Sequence, residues 1–102
     1  MQKFTQRLVE TRLAQLEDEA LKKGDPVAYM DAAINRRMAT VVGIAKAEGW
    51  GAWKRNAICK YIRTMLQGMS QVEMVATDSD SIEEMVDHAA EGFDQWRARR
   101  LG

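Results

Sequence analysis

The sequence predicts an all-α fold: a small four-helix bundle in one domain, residues 1–102, built around a central antiparallel hairpin of helices two and three. Three observations predict it. Apolar residues recur at helical spacing in four stretches, and no stretch alternates β-branched with polar residues. The single proline and the paired glycines Gly49 and Gly51 fall between those stretches rather than within them. The composition, 46% hydrophobic and 29% charged, is that of a globular chain, with no apolar run near the ~20 residues of a membrane span.

The first helix is expected over residues 2–23. Val9, Leu13, Leu16 and Ala20 form a narrow stripe that Phe4 and Leu8 extend, with Glu17, Asp18 and Glu19 on the remaining surface. Lys22 and Lys23 suit the negative dipole end, and Gly24 supplies a left-handed cap. Asp25-Pro26 restarts the chain. An aspartate accepts from free N–H groups, and proline lacks a donor where none is needed.

The second helix runs to residue 48. Val27, Met30, Ile34, Met38, Val41, Val42 and Ala45 make a broad face, and Ala28, Ala32 and Ala39 a second, small-residue face. A helix apolar on two sides belongs at the centre. Gly49-Trp50-Gly51 turns the chain, with the indole placed to plug the bundle end. The third helix is expected over residues 52–75, burying Trp53, Ile58, Tyr61, Ile62, Met65, Met69 and Val72. Residues 77–81 are rich in capping groups, with Ser81–Glu84 or Asp80–Glu83 as a capping box. The fourth helix runs to about residue 100, with Ile82, Met85, Val86, Ala89, Phe93 and Trp96 on one arc.

Charge is segregated although the net charge is zero. Residues 35–66 carry +6, and residues 67–95 carry −8 with no basic residue. Either the two regions pack together, within one chain or across a dimer, or they point apart and the basic face meets an anion. The first is the expectation, because a dedicated nucleic-acid domain is usually net basic.

No catalytic, cofactor or metal site is expected. Glu84, His88 and Glu91 share one helix side, yet a carboxylate-bundle metal site needs inward acids from a second helix. Helices two and three supply none on their apolar faces. Cys59 lies beside Lys60 and Arg63, which favour a thiolate, but a nucleophile needs a positioned base and His88 is the only imidazole. Asp78-Ser79-Asp80 resembles the start of a calcium loop but has Glu83 where glycine is required and Ala89 where the closing glutamate belongs. Phosphate-binding glycine loops and paired-cysteine motifs are absent from the sequence.

These features point to a non-enzymatic helical module that acts through its surfaces: an adaptor, inhibitor or assembly factor, of a kind phages and accessory elements encode. A protein partner or a homodimer is expected, with no membrane and no small-molecule substrate. The candidate contacts are Met69, Val72, Met74 and Val75, which are hard to bury together, and the acidic Glu83, Asp87, Glu91 and Asp94. The alternative is a DNA-associated regulator or packaging factor using Arg36, Arg37, Lys54, Arg55, Lys60 and Arg63. A metal-binding bundle is the third reading. The lone cysteine and the lack of an apolar N-terminal segment make a cytoplasmic chain the expectation.

Overall fold

A computed structural model of the chain describes the backbone of residues 2–101 and the side chains of residues 7–101. The fold is all-α. It has five helices: α1 (Gln2–Lys23), α2 (Pro26–Glu48), α3 (Ala52–Gln67), α4 (Gln71–Ala76) and α5 (Ser79–Leu101), with no strand among the described residues. None of these helices is long and apolar enough to cross a membrane.

The local signals at the first two junctions act as expected. Gly24 takes φ +68°, and Asp25 accepts the Ala28 N–H at 3.1 Å, one residue before Pro26 opens α2. Gly49 closes α2 in the left-handed conformation, while Gly51 is extended and needs no glycine-specific angle. Trp50 is half-buried against the core, at the end of α2.

The expected long third helix is two helices. Gly68 ends α3, its N–H reaching the carbonyls of Thr64 and Met65 at 3.2 Å. Ser70 then starts α4 with a full capping box: its Oγ accepts the Glu73 N–H at 3.2 Å, and Glu73 Oε1 accepts the Ser70 N–H at 3.1 Å. The turn swings Met74 inward, where it is fully buried. The next helix also begins earlier than expected. Asp78 caps α5 by accepting the Ser81 N–H at 2.9 Å, so Ser79, Asp80 and Ser81 are helical and the expected Ser81–Glu84 and Asp80–Glu83 boxes do not form.

α2 packs against all four other helices, and α3 packs on α5. The core draws Tyr29, Ala33, Met38 and Val41 from α2, Ile58, Ile62 and Leu66 from α3, Met74 from α4, and Ile82 and Val86 from α5. α1 lies along α2 and adds Ala20 to this cluster. The outline is elongated, 52 × 35 × 19 Å, with a radius of gyration of 14.8 Å. A compact domain of 100 residues has about 13 Å.

Several apolar residues expected inside lie outside. Val9, Leu16, Val27, Val42, Trp53, Tyr61, Met65, Val72 and Trp96 are all exposed, and Tyr29 and Leu66 are buried in their stead. Leu8 is exposed as well, and the Phe4 side chain lies outside the described residues.

A buried ionic hub ties α1, α2 and α4 together, and it corrects the placement of Glu17 on the solvated surface. Arg37 Nη1 donates to Glu17 Oε1 at 2.9 Å and to its own helix at Ala33 O, 3.1 Å. Its Nη2 reaches Met74 O at 2.8 Å and its Nε reaches Thr77 O at 3.0 Å. Those two carbonyls lie at the end of the six-residue α4; Met74 O also accepts the Thr77 backbone N–H at 3.1 Å, so Arg37 adds a second donor there and reaches the cap carbonyl of Thr77. Arg36 donates to the other Glu17 oxygen. Burial pushes the Glu17 carboxyl up, but hydrogen bonds and charge from Arg36 and Arg37 outweigh it and hold the group below its ordinary value.

Candidate functional site

A groove of about 510 Å³ runs between α3 and α5. Ala57, Ile58 and Tyr61 form one wall, and His88, Ala89, Gly92, Phe93 and Trp96 the other. The helices position this wall by periodicity. Residues 57 and 61 are one turn apart on α3, and residues 89, 92 and 96 follow a 3-4 spacing on α5. Ile82 and Val86 turn the adjacent arc of α5 into the core.

An aromatic cluster closes the groove at the C-terminal end of α5. Trp53 meets Phe93 and Trp96 edge-on, each with centroids 5.6 Å apart, and Phe93 and Trp96 are 5.8 Å apart. Trp53 is 54% exposed, Tyr61 49% and Trp96 40%. The Arg97 guanidinium lies 5.4 Å from the Trp53 ring centre, and that of Arg100 lies 5.6 Å from Trp96. Lys54 rests 5.0 Å over Trp50 and pairs with Asp94 at 2.9 Å. Large apolar rings rimmed by arginine are the residue types that dominate the energetics of protein interfaces.

The groove lining joins one imidazole and one phenol to apolar side chains. Cys59 is not in it: its half-buried thiol packs against the core. Burial pushes that thiol up, and the opposing charges of Arg55 and Arg63 do not offset it, so the thiolate is disfavoured. Glu84, His88 and Glu91 do not converge, and among the described residues no group of three His, Cys, Asp or Glu is placed to hold a metal.

The other sequence candidates are dispersed. Val72 and Val75 of α4 are exposed, at 80% and 59%. Met74 is buried and Met69 half-buried, so the four do not form one contact surface. Met69 instead takes a hydrogen bond from Thr77 Oγ1 at 3.6 Å. Of the basic candidates, Arg37 is withdrawn from the surface with its donors engaged in the hub. Arg36 pairs with Glu17, and Lys54 with Asp94. Arg55, Lys60 and Arg63 remain exposed and outside any ion pair among the described residues.

The expected neutralisation of the basic stretch by the acidic one is thus confined to Lys54–Asp94 within the described chain. Glu83, Glu84, Asp87 and Glu91 are exposed along α5 without a basic ion-pair partner among the described residues. A second recess, of about 210 Å³, lies between α2 and the α4–α5 junction, but its Arg37 is fully engaged and Asp78 already occupies the start of α5.

The groove was hidden from sequence reading because Trp53, Tyr61 and Trp96 sit at core-like spacing. Gly92 was the available signal: a glycine inside a helix, next to an alanine-rich turn, with no capping role. No protein-family model, curated protein or solved structure matches the chain.

Proposed function

We propose that this protein is a non-enzymatic interaction module that works through the α3/α5 face, as an adaptor, inhibitor or assembly factor. The observation that carries the reading is the joint exposure of Trp53, Tyr61 and Trp96 around an apolar groove. Contiguous aromatic surface of this kind favours occupation by another apolar surface, since burial returns about 25 cal/mol per Å². Its lining offers a helix or side chain an apolar seat, with arginines at one end to select an acidic neighbour. In this reading the α2–α3 hairpin is the centre of a bundle that the partner completes.

The nucleic-acid reading is the weaker one. Arg55, Lys60 and Arg63 are what remains of its six residues, and the tryptophans are rimmed mainly by arginines outside that stretch.

The test is cross-linking mass spectrometry on the full chain in cells, comparing wild type with Trp53→Ser/Trp96→Ser. The expected result is a protein cross-linked near residues 53–61 and 88–96 in wild type and lost in the variant. Identical cross-links in both would remove the α3/α5 face as the working surface.

A further inference from the structure

We infer that the partner on this face is a second copy of the same chain, its α5 crossing this α5 antiparallel at Gly92. The inference rests on the proposed function and names the occupant of the same groove.

Gly92 is the first observation. It lies mid-helix without a positive φ, and a Cβ built on it meets nothing within 4 Å. Glycine there weakens the helix relative to alanine, and no contact among the described residues requires it. A bare backbone position flanked by Ala89 on a groove wall suits close approach by something outside the chain.

Charge selects the occupant. Besides Asp94, which pairs with Lys54, the first two-thirds of α5 carry Asp80, Glu83, Glu84, Asp87 and Glu91, and its end carries Arg97, Arg99 and Arg100. Two parallel copies would set like charge against like. Two antiparallel copies crossing at residue 92 set Glu84 of each beside the Arg99 and Arg100 end of the other, a self-complementary arrangement that a twofold axis requires. The axis at Gly92 also matches the seam. His88 and Trp96 stand four residues either side of it, and Met85 and Arg99 seven. Each imidazole then faces an indole of the mate, each Met85 thioether the aliphatic stem of an Arg99, and Glu84 flanks that same arginine. The zero net charge leaves no overall repulsion between copies.

The test uses the full-length chain. Light scattering should give about twice the 11.6 kDa chain mass, and Gly92→Leu, which has open space in the single chain, should weaken association at least tenfold while circular dichroism stays helical. In a Cys59→Ser background, Gly92→Cys should form an intermolecular disulfide on mild oxidation, because the two Cα atoms meet at the axis. Ser81→Cys, about 16 Å along the helix from that axis, should not. A chain that stays monomeric at millimolar concentration overturns the inference, as does a dimer indifferent to Gly92→Leu, or oxidation at position 81 as fast as at position 92. If the chain is monomeric yet the tryptophan-dependent cross-links to another protein persist, this inference falls and the proposed function stands. If those cross-links are also absent, both fall.

Discussion

Replacing Arg37 with alanine should be among the most damaging single changes in the chain. The guanidinium makes four hydrogen bonds, to Glu17 Oε1, Ala33 O, Met74 O and Thr77 O. Removing it takes the buried cation from the Glu17 carboxylate, takes the Nε–H from Thr77 O, and leaves Met74 O with only the Thr77 backbone N–H. Breaking one side of a buried pair typically costs about 3–5 kcal/mol. That is a large part of the ~5–15 kcal/mol that holds a domain folded. At roughly 4–8 °C per kcal/mol for a chain of this size, Tm should fall by at least about 12 °C. The assay is thermal and urea denaturation followed by circular dichroism. Arg36→Ala is the control: its side chain is 49% exposed, so its loss should cost no more than about 1 kcal/mol. A second control, Glu17→Leu/Arg37→Met, removes the buried charge pair but still takes the Arg37 donors from Met74 O and Thr77 O, so it should recover only part of the loss. An Arg37→Ala protein within about 1 kcal/mol of wild type would refute the hub as the tie between α1, α2 and α4.

Three further outcomes follow from the same geometry. Glu17 titrates below its ordinary 4.5 because Arg36 and Arg37 outweigh its burial. Its contribution is therefore complete above the unfolded-state value and disappears as pH falls through the lower folded-state value. The stability gap between wild type and Glu17→Gln, read from urea midpoints, should be constant above about pH 5 and shrink below it; a gap that widens in acid contradicts the sign. Ser70→Ala removes one half of the α4 capping box and should cost about 1 kcal/mol in the same denaturation assay, with the loss of amide protection concentrated in residues 70–77. Gly49→Ala should cost about 1–2 kcal/mol through its φ of +68° alone, since no atom lies within 4 Å of the added Cβ; a neutral result would mean the turn re-forms differently.

What could be read from the sequence was local. Gly24, Asp25 and Pro26 act within one turn of one another, so their meaning survives without knowledge of the fold. The Ser70–Glu73 box was equally local, but Met65, Met69 and Val72 carry helical spacing straight across Gly68 and mask it. The Glu17–Arg37 hub was illegible because its partners lie 20 and 40 positions apart and charged residues usually belong to solvated faces. Periodicity also names an apolar face without saying whether a neighbour covers it. Trp53, Tyr61 and Trp96 fit a core by spacing, yet the single chain has no helix to lay over them. The same limit applied to charge: the sequence located the acidic and basic stretches, but only the packing showed that Lys54–Asp94 is the ion pair between them among the described residues.

Hydroxyl-radical footprinting across a dilution series of the wild-type chain tests the central claim most directly. At high concentration Trp53, Tyr61 and Trp96 should be protected relative to the exposed Val72 of α4, and protection should fade together with dissociation on dilution. Modification of all three aromatics at a fast rate that does not change with concentration would contradict the account.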